Sequence, residues 1–216
     1  MLLLLLLLLD EPWCNIPRVA QAADQELLQP WPYGPYDKNI EVTRSAPPWT
    51  TKPLAVAEAL STDKVLAHAK AKASAENKAI FVHFGASWCG WCRKLDAFLE
   101  RADIKPVFEK YFVPVKLVVQ ENEKNKALEN PGADALLKKL GGPAGLPYFA
   151  FLDARGDLIV NSRHPSVVRE DGENIGYPGQ PGEIDWFMQM IRKAAPKISE
   201  EDLKTIETAL RHPKEA

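Results

Sequence analysis

Residues 79–92 read Ala79-Ile80-Phe81-Val82-His83-Phe84-Gly85-Ala86-Ser87-Trp88-Cys89-Gly90-Trp91-Cys92. Ala79 to Phe84 is a short apolar run rich in β-branched and aromatic residues, the pattern of a strand buried on both faces. It predicts a central strand. Gly85 to Trp88 then make a tight connection, and from Cys89 to about Arg101 the spacing of Leu95, Phe98 and Leu99 predicts a helix with one apolar face. Both cysteines therefore fall where a central strand hands over to a helix.

That position has a chemical consequence. The first N–H groups of a helix lack partners within it and the helix dipole is positive there, so a thiolate at Cys89 is stabilised and its thiol becomes the expected nucleophile. Cys92, one turn later on the same side, is placed to resolve the mixed disulfide that Cys89 forms with a substrate. Trp88, Gly90 and Trp91 flank the pair and are the candidate substrate-contacting residues around it. The Gly90-Trp91 dipeptide between the sulfurs also tunes their potential. Arg93 and Lys94 either add positive charge to the site or are simply solvated.

Working outward, Ser61-Thr62-Asp63 offers a helix cap, and Val65, Leu66, Ala69 and Ala73 keep helical spacing to about Asn77. Tyr111 to Val119 reads as a second strand, with Pro114 near its start or at a sheet edge. A polar loop over 120–132 leads to a short helix at Ala133–Leu140, which Gly141 to Gly145 break. Tyr148–Leu152 and Leu158–Val160, joined by a turn containing Gly156, predict a hairpin. Residues 161–182 are polar and rich in Gly and Pro and read as a long loop. Ile184, Phe187, Met188 and Ile191 then mark an amphipathic helix, and Ser199 caps a last one carrying Leu203, Ile206 and Leu210. The fold class is α/β: a central mixed sheet flanked by helices, with an extended N-terminal arm and an extra C-terminal helix.

With 216 residues, one domain with extensions is expected and two full domains are not. Hydrophobic residues at 46% and charged residues at 26% exclude a disordered or fibrous chain. A net charge of -2 gives no basic field for nucleic acid. Leu2 to Leu9 is too short to span a bilayer but suits the apolar core of a signal peptide, and Ala20-Gln21-Ala22 resembles a cleavage site. Residues 1–22 are therefore expected to be a signal peptide, although no Lys or Arg precedes the leucines. Cleavage would remove Cys14, a weak lipidation candidate, and leave the pair Cys89 and Cys92. Residues 23–60, with Pro30, Pro32, Pro35, Trp31 and Trp49, read as an extended arm lying on the domain or docking a partner. Residues 61–195 form the main domain, and 196–216 the C-terminal helix and tail.

The stretch Phe84 to Cys92, together with Gly145-Leu146-Pro147, resembles the thioredoxin-like superfamily over about Asp63 to Ala194. With Phe112-Val113-Pro114-Val115-Lys116 it is similar to exported reductase and interchange domains of that superfamily. The resemblance implies a thiol-disulfide oxidoreductase, with Cys89 the nucleophile, Cys92 the resolving thiol and Pro147 a cis-proline packed against them. It leaves the Leu146 backbone to pair with an extended substrate. It also implies no cofactor beyond the Cys89/Cys92 disulfide, protein thiol or disulfide substrates with an electron donor or acceptor, a monomer, and a periplasmic or other extracytoplasmic location.

Two positions depart from cytoplasmic thioredoxins: their buried Asp six residues before the first cysteine is His83 here, and their helix-kinking proline is Ala97. His83 either shuttles the proton of Cys92 or is a hydrogen-bonded core residue. Two other function classes compete with the enzyme, a redox-silent binding or assembly module and a carrier of a soft ion such as Cu(I) on the two thiols and His83. A structural zinc site would need more ligands than these, and no metal site is expected. His68, His164 and His212 are read as surface residues.

Overall fold

The computed structural model describes residues 59–142, 145–165 and 172–213. The leucine run, the Ala20-Gln21-Ala22 pattern, Cys14 and the proline- and aromatic-rich arm lie outside them. Strand β1 (Ala79–Gly85) is buried at all seven positions, because it has a neighbour on each edge and helices over each face. It pairs in parallel with β2 (Phe112–Val118) and antiparallel with β3 (Tyr148–Leu152), which pairs antiparallel with β4 (Leu158–Asn161). The order is β2-β1-β3-β4, and β2 is an edge, where the missing N–H of Pro114 is tolerated.

The period of two along β1 divides the core between the faces of the sheet. Ile80, Val82 and Phe84 face α1 (Thr62–Glu76) and α4 (Ala133–Lys139), with Ala69, Ala73 and Leu137 packed onto them. The small side chains of Ala69 and Ala73, four apart on one face, let α1 lie close to the strands. Phe81 faces α2 (Gly90–Leu99), α3 (Lys105–Tyr111), α5 (Pro181–Ala194) and α6 (Glu200–Arg211). Its ring lies 5.0 Å from those of Phe108 and Phe151 and 5.6 Å from that of Phe149. The four C-terminal positions expected to face the core, Ile184, Phe187, Met188 and Ile191, are all buried there.

Three local readings need correction. Tyr111 ends α3 instead of opening β2, since the apolar run continues across the boundary without a sequence break. The segment 161–182 is not all loop: β5 (Arg163–His164) pairs antiparallel with β6 (Glu173–Asn174), too short a ladder to leave an alternating pattern. At α1 the Ser61 side chain makes no cap bond. That helix begins with the backbone bond from Val65 N to Ser61 O and ends on Asn77 in the left-handed region, φ 53°.

The last helix is fixed at its N-terminus. Ser199 Oγ accepts from Asp202 N at 3.1 Å, and the Asp202 carboxylate accepts from Lys110 Nζ at 2.8 Å and Tyr111 Oη at 2.6 Å on α3. The Lys110 bond first, then that of Tyr111, pulls the Asp202 pKa down from 3.8 to about 2. A folded-state pKa below the unfolded one stabilises the fold above the unfolded value, and this stability is lost as pH falls through the folded value. Urea melts should therefore show stability falling between pH 3.8 and about pH 2, with Asp202→Asn flattening that part of the profile. In the core, Phe81→Ala should cost about 3–5 kcal/mol of unfolding free energy at neutral pH, read from the same melts.

Candidate active site

Cys89 is the N-cap of α2, with extended backbone at φ -79° and ψ 107°, and its Sγ accepts from the Cys92 amide at 3.1 Å. A free amide at a helix start thus points at the sulfur, as the sequence position requires. The two sulfurs are joined in a disulfide, with the Cα atoms 5.3 Å apart. Both cysteines are buried, Cys89 at 4% and Cys92 at 2% exposure.

Gly85, the last residue of β1, lies directly against Cys92. A Cβ at that position would meet Cys92 Cβ at 3.2 Å and Sγ at 3.4 Å, so only glycine lets the first turn of α2 rest on the strand end without displacement. Between them, the turn 86–88 is held by the segment that follows β2. The buried Glu121 carboxylate accepts from both the Ser87 amide and the Ser87 hydroxyl, the latter at 2.7 Å. Asn125 Nδ2 donates to Ser87 Oγ at 2.9 Å, and the Trp88 indole N–H donates to Gln120 O at 2.8 Å. Gln120 takes a positive φ of 55° to present that carbonyl. Arg93 is more than a solvated neighbour, since its guanidinium donates to Ser87 O at 3.0 Å.

The Leu146–Pro147 peptide bond is cis. Leu146 packs against Ala86, Cys89 and Cys92, and Pro147 lines a groove of about 270 Å³ with Trp91, Leu146, Ile175, Tyr177 and Glu183. Trp88, next to Cys89, and Trp91, between the two cysteines, stand 54% and 55% exposed. Trp91 stacks on Tyr177 with centroids 6.0 Å apart, and Lys94 Nζ lies 4.3 Å from its ring. Asn174 Nδ2 donates to Gly145 O at 3.1 Å and to Pro147 O at 3.0 Å, while its Oδ1 accepts from Ser162 Oγ. The segment after β4 therefore forms one wall of the site. Gly90 opens α2 between the cysteines.

His83 is 5% exposed, and its Nε2 lies 3.0 Å from Asp96 Oδ1. Lys116 Nζ donates to the other carboxylate oxygen, Oδ2, at 2.6 Å. Partial burial of Asp96 works against its ionisation, but the hydrogen bonds and charges of His83 and Lys116 outweigh this and hold its carboxyl below the ordinary range. Sequence reading missed Asp96 and Glu121. Asp96 was detectable as the residue four after Cys92 on one helix face, whereas Glu121 becomes a partner of Ser87 only through the β1–β2 register. Among the described residues no group of three or more His, Cys, Asp or Glu is arranged to hold a metal ion, and no helix is long and apolar enough to cross a membrane.

Residues 61–154 match the family model described as thioredoxin-like. No curated protein matches the chain. Among solved structures, the disulphide isomerase of Xylella fastidiosa Temecula1 is 21% identical, with 69% of this chain and 88% of that one covered at a TM-score of 0.37. A DsbH oxidoreductase is 21% identical, with 68% and 91% covered and a TM-score of 0.40. The oxidised C-terminal domain of Neisseria meningitidis DsbD is 19% identical, with 62% and 99% covered and a TM-score of 0.37. Family match, sheet order and the cysteine pair at the start of α2 agree, and the described chain has the thioredoxin-like fold with a Cys-x-x-Cys site and further helices at its C-terminal end.

Proposed function

We propose that this chain is a thiol-disulfide oxidoreductase that exchanges its Cys89/Cys92 dithiol or disulfide with protein substrates outside the cytoplasm. The observation that carries this reading is the Cys92 amide donating to Cys89 Sγ at the N-cap of α2, with both sulfurs within bonding distance of each other. A thiolate on Cys89 keeps that donor and gains the positive helix end, so Cys89 attacks a substrate disulfide and one substrate sulfur leaves as thiolate. Cys92 then attacks Cys89 Sγ, the mixed disulfide breaks, and the second substrate sulfur leaves. Two electrons pass to the substrate, and the protein pair becomes the disulfide. The reverse sequence oxidises a dithiol.

The groove beside Leu146 and Pro147, with Trp91 on its rim, suits an extended segment carrying the target cysteine. The redox group is the chain's own cysteine pair. The protein acts as a monomer, with residues 1–22 as a cleaved leader, 23–60 as the arm, 61–195 as the redox domain and 196–216 as its C-terminal addition. Export of this kind supplies an oxidising setting in which the pair can be turned over by a partner oxidoreductase.

Trapping separates the sulfur roles. Cys92→Ser should accumulate a mixed disulfide with reduced-and-reoxidised substrate protein, and Cys89→Ser should accumulate none, as read by mass spectrometry of alkylated samples. Equilibration of the wild-type chain in glutathione buffers should give one two-electron midpoint. Absence of an intramolecular disulfide at every poise would overturn the oxidoreductase reading.

A further inference from the structure

We propose that Glu121 is a positioning residue for the nucleophile: its buried carboxylate holds the turn that ends in Cys89, and so keeps the Cys89 sulfur on the amide of Cys92 when no disulfide ties it there. The inference rests on the oxidoreductase reading and adds to it a residue that sets the rate of the first step. It starts from the turn. The Cys89 amide donates to Ala86 O at 3.1 Å, which closes a turn with Ser87 and Trp88 at its centre. Both central residues are gripped by consecutive residues of the segment after β2: Trp88 through its indole on Gln120 O, and Ser87 through two bonds to Glu121.

Ser87 is exposed, so water could serve every one of its polar groups. The protein bonds them all instead. Its N–H and hydroxyl donate to the two carboxylate oxygens of Glu121, its hydroxyl oxygen accepts from Asn125 Nδ2 at 2.9 Å, and its carbonyl accepts from Arg93 at 3.0 Å. A carboxylate is costly to bury, and this one is 7% exposed while serving a residue that needs no partner for its own satisfaction. What the contact supplies is therefore geometry. Two acceptor oxygens against the N–H and O–H of one residue fix both its position and its rotation, as a single bond does not. The carboxylate is itself anchored, since Val119 N donates to Gly85 O at 2.9 Å and the Glu121 amide donates to Glu129 Oε1 at 2.8 Å. Gln120 takes a left-handed φ of 55°, uncommon away from glycine and costly, and its carbonyl and the next side chain both face the cysteine turn.

The two redox states depend on this hold unequally. In the disulfide, the covalent bond to Cys92 keeps Cys89 at the helix start. In the dithiol only the turn does so, and a thiolate displaced from the Cys92 amide loses its donor and the positive helix end. Loosening the turn therefore destabilises the reduced form more than the oxidised one, which slows attack by Cys89 and makes the midpoint more negative. Removing a negative charge near a thiolate acts the other way, so position and charge give opposite signs.

The test uses the full chain in its dithiol form, an aromatic disulfide whose cleavage by Cys89 releases a coloured thiolate, and glutathione buffers for the midpoint. Glu121→Ala should slow the first release about tenfold. It should also shift the equilibrium with glutathione about tenfold toward the protein disulfide, a midpoint about 30 mV more negative. Glu121→Gln, which can still accept from the Ser87 amide and donate to its hydroxyl, should recover most of both. Ser87→Ala should slow the release about threefold in the wild-type background and less than about twofold in Glu121→Ala, where its bond to Glu121 is already gone. A first release of wild-type rate in Glu121→Ala, a midpoint that is unmoved in Glu121→Ala or rises in both Glu121 variants, or additive losses in the double variant would overturn the proposal. Should Glu121→Ala fail to fold, Ser87→Ala on the exposed turn decides it: a slower release with a more negative midpoint supports the proposal, and wild-type values overturn it. A wild-type chain that releases no thiolate removes the oxidoreductase reading, and this inference falls with it.

Discussion

The contact between Gly85 and Cys92 is the constraint on which the site depends. A side chain at residue 85 would press on Cys92 at 3.2 Å, so its absence fixes how closely the first turn of α2 approaches the end of β1. Once that turn is seated, the amide of Cys92 reaches Cys89 Sγ, and the residues one step back on both elements, His83 and Asp96, meet as a second rung. Close packing of strand end and helix start therefore sets both the thiolate site and the imidazole–carboxylate pair. A shift of α2 along β1 would break the two together, because protein interiors transmit displacement instead of absorbing it.

Much of this is legible in the sequence itself. The apolar run at 79–84 with polar boundaries reads as a strand buried on both faces, and the tight connection from Gly85 to Trp88 leads from it into a helix. The hairpin was legible for the same reason, since Gly156 takes φ 91° in a turn between two apolar runs. What failed was the reading of elements with no period long enough to show. The β5–β6 pairing spans two residues on each strand, and its support comes from Asn174, which accepts from Ser162 Oγ and donates to Gly145 O and Pro147 O, contacts between residues distant in sequence. Tyr111 was misassigned because helix α3 and strand β2 share one apolar run.

The site residues divide the same way. Cys89 and Cys92 announce themselves by spacing and context. His83 could be seen as polar in a buried strand, but its partner depended on which residue of α2 lies over it, and Glu121 depended on how far the chain runs past β2 before turning back. A polar residue in an otherwise apolar strand states that a partner exists, because an unpaired one is too costly to keep. It does not state which residue that partner is. Register decides that, and register is a property of the sheet and not of the strand.

Two carboxylates flank the cysteine turn, and they are stabilised differently. Asp96 is held by the cation Lys116 and by a ring N–H, whereas Glu121 is held at Ser87 by an amide and a hydroxyl, both neutral donors. The first arrangement offsets the carboxylate's charge and ties α2 to β1 and β2. The second fixes backbone, because an acceptor bonded to both N–H and O–H of one residue leaves that residue little freedom. Ser87 stands two residues before Cys89, so its restraint is passed along the chain to the N-cap, and Trp88 between them is tied by its indole to Gln120. The turn is thus rigid on the side facing β2. On the opposite side the wall is built from Leu146, Pro147 and Tyr177, where stacking and apolar contact replace directed bonds.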